Sequence, residues 1–467
     1  MGLVMGLAVG AALGGLLFGY DTAVISGAEE AIVHNFVTPR TELSEVARNS
    51  LAGTAIGIAL LGCVFGSLAA GPLATALGRR TGMLIAAFLF FISSVLSGFP
   101  EFGLAPVGHL GVDGLTPFMI YRFIGGVAIG MASLISPLYI AEIAPPSQRG
   151  LLVTFQQIAI VGGMLLVYFV NLMIAQQGTE EWVLSMGWRY MLASAGIPAA
   201  LFFLAAFLMP DTPRWYVLKG KEDKAVKLLN EMNDKATAEA TLSEIRGSLT
   251  EHSGKLLSFG AGVVVIGVLL SVFQQFVGIN AVLYYAPLMF KNIGSGTNQA
   301  LFQTVLVGVA NVVFTLVATF TVDRWGRKPL LILGAVVMAL SMAALGILFQ
   351  QKQEGTLLLY AAMAYIAGFA LSWGPVVWVL LAEMFPNSIK GKAMAIAVAA
   401  QWISNYIVTW SFKVVDGDSG LNATFNHGLN YYIYAACSVL AALFVWKFVP
   451  ETKGKTLEAI ESLWKKS

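Results

Sequence analysis

Runs of apolar residues long enough to cross a bilayer as helices, about 20 residues each, constrain this chain more than any other feature. Twelve can be marked, at approximately 5–28, 51–77, 82–99, 117–141, 151–175, 188–209, 257–290, 300–322, 329–350, 357–382, 393–413 and 428–449. Hydrocarbon offers no partner to a backbone N–H or C=O, so such runs satisfy their own hydrogen bonds by coiling. Hydrophobic residues make up 57% of the 467 and charged residues only 12%, against roughly 25% charged in soluble domains. The fold class expected is an all-α membrane protein with twelve transmembrane helices.

A net charge of +2 gives no footing for nucleic acid, and the two cysteines, Cys63 and Cys437, lie in apolar runs. No disulfide framework, metal cluster or cofactor motif is expected. Gly454-Lys455-Thr456 lacks the glycine that a phosphate-binding loop needs five residues earlier, so no nucleotide-driven pump is expected. The apolar N-terminal segment lacks a basic flank and reads as a first helix rather than a leader. Lys and Arg gather after segments 2, 4, 6, 8 and 10 and in the tail. By the positive-inside rule both termini face the cytoplasm, which predicts a multi-pass protein of the cytoplasmic (inner) membrane, with lipid as its surround.

Three landmarks recur in the second half at nearly one offset. Gly78-Arg79-Arg80 is matched by Gly326-Arg327-Lys328, and Glu142 and Arg149 by Glu383 and Lys390. Pro210-Asp211-Thr212 is matched by Pro450-Glu451-Thr452. Two six-helix repeats with a site between them near the midplane is a transporter architecture. The expected units are a first half at 1–212, cytoplasmic linker helices at 213–252, a second half at 253–452 and a tail at 453–467. The charged stretch of the linker shows no long apolar face.

One apolar run carries an anomaly. Phe273 to Tyr285 holds Gln274, Gln275, Asn280, Tyr284 and Tyr285. Polar side chains at membrane depth face a protein interior or a wet cavity. Neutral groups that both donate and accept suit a ligand made of hydroxyls rather than an ion. Asn280 falls about 120° from Gln274 on a regular helix, and Gly278 permits a break that brings it round.

The chain resembles the sugar porter family of the major facilitator superfamily over nearly its whole length. The motifs that carry the resemblance are Gly-Gly-Leu-Leu-Phe-Gly-Tyr-Asp at 14–21, Asp323-Arg324-Trp325-Gly326-Arg327-Lys328 and Pro-Asp-Thr-Pro-Arg-Trp at 210–215. With them stand Gln-Gln-Phe-Val-Gly-Ile-Asn at 274–280, Trp373-Gly374-Pro375 and Pro-Glu-Thr-Lys-Gly at 450–454. The resemblance implies the major facilitator fold and a monomer that moves a monosaccharide, D-xylose or D-glucose, by alternating access, as a proton symporter or as a facilitator without proton coupling; it is not an enzyme. It assigns sugar contacts to Gln157, Gln274, Gln275, Asn280, Trp378 and Gln401, with Asn311 and Trp402 nearby; Tyr284 joins them as a polar residue of the same run. Xylose symporters of the family have a second Gln where this chain has Met164.

Asp21 and Arg122 are charges deep in spans of the first half. An isolated charge there is costly, so the two are expected to pair. A carboxylate beside Arg stays ionised, and loss of the Arg contact raises its affinity for a proton. The resemblance likewise implies proton coupling at Asp21, although a Glu that proton-coupled relatives hold near this pair is Ala195 here. Arg79, Arg80, Glu142, Arg149, Asp211, Asp323, Arg324, Arg327, Glu383 and Lys390 are expected to cluster at the cytoplasmic face as a gate of ion pairs between the halves.

Overall fold

In the computed structural model, residues 2–145, 149–250, 256–353, 355–386, 388–453 and 464 are described. Helix dominates, and no strand occurs among the described residues. The long helices of the first half are α1 (Gly2–Ile32, extended by a wider turn over Val33–Val37), α2 (Glu45–Leu77), α3 (Arg79–Gly98), α4 (Leu115–Ile143), α5 (Arg149–Ala175) and α6 (Glu180–Leu208). Those of the second half are α7 (Ala261–Lys291), α8 (Thr297–Trp325), α9 (Arg327–Gln350), α10 (Thr356–Met384), α11 (Lys390–Asp416) and α12 (Leu429–Phe448). Eleven are long and apolar enough to cross a membrane. The twelfth, α11, has the length but carries Gln401, Ser404 and Asn405 at its centre. The residues that weaken its apolar signal are the ones a lumen would require.

Small residues let the helices approach closely. A side chain added at Gly62, Gly66, Gly126 or Gly130 would strike backbone of the opposite member of the α2–α4 pair. This is the small-residue packing that replaces the hydrophobic effect between helices in lipid. Gly125-Gly126 and Gly130 are thus packing residues.

Three helices are broken. α6 is interrupted at Ala195. α7 stops at Val277 and restarts after Gly278, which sits at φ 92, in the left-handed region that glycine enters without strain. A Cβ there would also collide with the Tyr434 ring. α10 breaks at Ser372, between Thr356–Leu371 and Trp373–Met384. Freed backbone groups are tolerated at membrane depth only where protein or a wet cavity covers them.

Three short helices, Pro213–Leu218, Glu222–Met232 and Lys235–Thr250, join the halves. The second, though the linker has no long apolar face, buries a short one: Ala225, Leu228, Leu229 and Met232. Four residues at helical spacing suffice for a helix only three turns long. Trp464, the described residue of the far tail, donates its indole N–H to the Met384 carbonyl at 3.2 Å.

The two halves touch at the end of the bundle away from the linker. Trp410 donates to Ser50 Oγ at 3.0 Å, Thr54 and Tyr406 hydroxyls lie 3.4 Å apart, and Ser419 bonds Glu45. Lys291 Nζ reaches Glu30 at 2.6 Å and Lys413 Nζ reaches Glu29 at 2.5 Å. Thr297 bonds Glu180.

Candidate functional site

The break in α7 organises the polar residues. Its first segment ends on Gln274 and Gln275 and its second begins with Asn280. Asn280 Nδ2 donates to Gln275 Oε1 at 2.6 Å, Gln275 Nε2 to Gln274 Oε1 at 3.5 Å, and Gln274 Nε2 to the carbonyls of Trp373 and Gly374 at 2.8 and 3.3 Å. The regular-helix separation of Asn280 from the glutamines is removed by the break, and the three amides form one chain running to the break in α10. Tyr284 OH accepts from Asn405 Nδ2 at 3.4 Å. Tyr285 is buried, its hydroxyl on the Thr409 carbonyl at 3.0 Å, so it packs α7 on α11.

Asn311 of α8 points its amide at the Met164 sulfur of α5, 3.7 Å away. Sulfur is a weak acceptor, and this contact crosses between the halves. Trp402 lies 5.4 Å from the Phe18 ring, centroid to centroid, another contact across the halves. The Gln401 Oε1 and Trp402 Nε1 atoms are buried without hydrogen-bond partners. A hydroxyl, which both donates and accepts, matches that pair of needs. Gln157 and Trp378 are half-buried. Gln156, beside Gln157, is the more deeply buried of the two, packed on Gly15 of α1.

Asp21 and Arg122 meet in the first half, Arg122 Nη1 donating to Asp21 Oδ1 at 2.7 Å, with both side chains under 5% exposed. Asp21 Oδ2 and Arg122 Nε have no partner. A buried pair with spare hydrogen-bonding capacity is poorly compensated for its desolvation. Ala195 is fully buried at the break of α6. Next to it Ser194 shares a 2.8 Å hydrogen bond with Tyr20.

At the linker end the charged motifs form ion pairs within each half. Arg79 holds Glu142 through two N–H groups at 2.7 and 2.9 Å, and Thr212 Oγ1 donates to the same carboxylate at 2.6 Å. The second half repeats this. Arg327 holds Glu383 at 2.7 and 3.1 Å, and Thr452 Oγ1 donates at 2.6 Å. The Asp211 carboxylate accepts the Arg79 backbone N–H at 2.9 Å, and Glu451 accepts those of Arg327 and Lys328 at 3.1 and 2.9 Å. Each carboxylate thereby caps the N-terminus of α3 or α9, where aligned peptide dipoles favour an anion. Glu451 and the two threonines were not among the sequence candidates, although the repeat itself contains them.

Ion pairs that cross between the halves, Glu30–Lys291 and Glu29–Lys413 among them, lie at the opposite end of the bundle. Arg80 caps the Ala206 and Phe207 carbonyls, and Arg324 is exposed with its carbonyl taken by Lys453. Lys390 is half-buried at the start of α11. The side chains of Arg149 and Asp323 lie outside the described residues. Burial pushes the Asp211 carboxyl above its usual range despite N–H bonds from Thr212 and Arg79. At Glu451 burial acts the same way but is outweighed by backbone N–H bonds from Lys453, Arg327 and Lys328, which hold it low.

The far-end pairs Glu29–Lys413 and Glu30–Lys291 escaped the sequence reading. α1 and α11 run on past the predicted spans, to Ile32 and Asp416, so residues expected in loops are helical. A buried Glu101–Arg189 pair at 2.6 Å ties the loop after α3 to α6. Its spacing offers no local signal, since the partners are far apart in the chain.

The chain matches the family described as Sugar (and other) transporter over residues 7–464. It is 52% identical to the D-xylose-proton symporter of Escherichia coli (strain K12) over 97% of this chain and 94% of the relative. It is 46% identical to the glucose facilitated diffusion protein of Zymomonas mobilis over 99% of this chain and 98% of the relative. Among solved structures it superposes on a partially occluded inward-open conformation of the E. coli xylose transporter with TM-score 0.90 and 48% identity, covering 98% of this chain and all of that one. The proton:xylose symporter bound to 6-bromo-6-deoxy-D-glucose gives TM-score 0.85 at 50% identity, over 99% of each chain.

Proposed function

Because the chain belongs to the Sugar (and other) transporter family, we propose that it is a monosaccharide–proton symporter for D-xylose or D-glucose. It is a multi-pass membrane transporter of the major facilitator fold and not an enzyme. In this reading both termini are cytoplasmic, the linker end is the inner face and the protein works as a monomer surrounded by lipid. The far-end contacts are the closed outer mouth, and the protein stands in an inward-facing state. Support comes from the higher similarity to the inward-open relative than to the sugar-bound one, 0.90 against 0.85.

The sugar enters from outside and binds between Gln157 on one side and Gln274, Gln275, Asn280, Trp378 and Gln401 on the other. Asn311, Trp402 and Tyr284 complete the lining. Amides meet hydroxyls in both senses, and a site built to bond a hydroxyl rejects analogues that lack it. Asp21 is the proton carrier. When it takes a proton, Arg122 loses its counter-charge, and the helices that bear the two can part. Deprotonation toward the inside restores the pair and resets the cycle. The linker-end charges, among them Arg79, Glu142, Arg327 and Glu383, close the inner mouth in the outward-facing state.

The observation that carries proton coupling is the buried Asp21–Arg122 pair with unsatisfied Oδ2 and Nε atoms. A facilitator is the second reading, favoured by the 46% identical glucose relative and by Ala195. Reconstituted protein given a pH gradient and no sugar gradient separates the two. Uphill accumulation of labelled xylose or glucose is expected of a symporter, whereas equilibration alone would sink proton coupling and support the facilitator.

A further inference from the structure

Tyr365 of α10 is fully buried, and its hydroxyl donates to the Val277 carbonyl at 2.7 Å. Val277 is the last residue before the Gly278 break, so this carbonyl has no helical partner beyond the break. In the opposite direction Gln274 of α7 donates to the Trp373 and Gly374 carbonyls at the start of the second segment of α10. Each broken helix thus supplies a side chain to the backbone at the break of the other. Between the two stitches runs the amide chain Asn280–Gln275–Gln274, every member donating toward α10.

From this arrangement we propose that Tyr365 is a positioning residue of the sugar site. Resting on the transport reading, the proposal is that its hydroxyl fixes the angle between the two segments of α7. That angle sets the distance from Gln274 and Gln275, before the break, to Asn280, after it. Gly278 cannot set it alone, because a left-handed glycine is permissive. The Tyr434 ring packs against Gly278 but its hydroxyl has no partner, so Tyr434 supplies bulk without direction. Tyr365 touches no sugar in this scheme; it acts through the amides.

The test is Tyr365→Phe, which removes one oxygen and keeps the ring, with Tyr434→Phe as the matched control on the same hinge. Binding of D-glucose, D-xylose and a series of their monodeoxy analogues is measured on purified protein, alongside thermal unfolding. In the unaltered protein, removal of a hydroxyl that meets Gln275 or Asn280 weakens binding strongly. Tyr365→Phe is expected to weaken the parent sugars about tenfold, the scale of one buried acceptor left unsatisfied. It is also expected to flatten the penalty for that deoxy analogue, since the amides no longer converge on one hydroxyl. Tyr434→Phe is expected to match the unaltered protein in both.

A Tyr365→Phe protein that loses thermal stability but keeps the deoxy pattern overturns the proposal in favour of simple packing. So does one that behaves as Tyr434→Phe does. If Tyr365→Phe does not fold, Tyr365→His, which can still donate, provides the second variant. Retention of the deoxy pattern by it supports the proposal, and its loss with folding intact overturns it. Failure of the unaltered protein to bind any of the sugars would refute the transport reading and this proposal with it.

Discussion

Lys413→Met tests whether the proposed outer mouth is held shut by charge. Lys413 Nζ lies 2.5 Å from Glu29 Oε1, with side chains 11% and 4% exposed, and it also sits 5.9 Å from the centre of the Tyr285 ring. Removing one partner of a buried ion pair leaves an uncompensated charge and costs about 3–5 kcal/mol. That cost falls only on the state in which Glu29 is buried. If the mouth opens, the carboxylate reaches water. With each 1.4 kcal/mol worth a factor of ten, the balance moves toward the outward-open state by about a hundredfold or more.

Glu30 and Lys291, 2.6 Å apart, supply a second, more exposed pair that keeps part of the seal. Such pairs contribute about 0–1 kcal/mol, too little to mask the shift. Spin labels on cysteines placed at Val46 and Gly420, both exposed near the mouth, report the opening as a longer distance by pulsed electron resonance. The double variant Glu29→Gln with Lys413→Met buries no lone charge and should shift less than Lys413→Met alone. An unchanged distance in the single variant, or equal shifts in single and double, would refute the reasoning.

Four further outcomes are expected. Asp21→Asn should abolish uphill accumulation while sugar exchange at equal pH persists, measured as counterflow in vesicles; retained accumulation would remove Asp21 as the proton carrier. Met164→Gln gives Asn311 a full hydrogen-bond partner in place of sulfur and restores a donor and acceptor to the lining. It should move the xylose-to-glucose affinity ratio toward xylose by about 10-fold, the scale of one net hydrogen bond, read by competition binding. Gly126→Ala places a methyl against the Ala59 backbone in the α2–α4 contact and should lower the unfolding temperature clearly, because overpacking costs about 1–3 kcal/mol, whereas the same change at the uncrowded Gly71 should not.

The fourth concerns His427, whose Nδ1 lies 2.9 Å from Asp416 Oδ1. The hydrogen bond to Asp416 raises its pKa above the usual histidine value, against partial burial. A raised pKa contributes stability that is complete below the unfolded-state value and fades as pH rises through the folded-state value. His427→Gln should therefore lower the unfolding temperature at mildly acidic pH and leave it nearly unchanged at alkaline pH. Equal loss at both would show that the contact is not a titrating one.

Apolar runs of bilayer length, the placement of Arg and Lys, and the repeated motifs make the number of spans, their helical state and the two-half organisation readable from the sequence. Each follows from local composition and the absence of backbone partners in lipid. The polar anomaly at Gln274, Gln275 and Asn280 is readable for the same reason, and so is the need of Asp21 and Arg122 for partners. Three things came only from the tertiary structure. Which charges pair was one: Arg79 takes Glu142 within its own half, and Glu29 takes Lys413 from the other, because pairing depends on which end of the bundle is closed. How the amides are spent was another, since the break at Gly278 and the facing break at Ser372 turn three separate side chains into one directed chain. The third was Tyr365, an ordinary aromatic in an apolar run whose partner is a backbone carbonyl 88 positions away. Sequence marks which groups need partners; only the packing of distant helices, whose contacts leave no local periodicity, decides which partners they have.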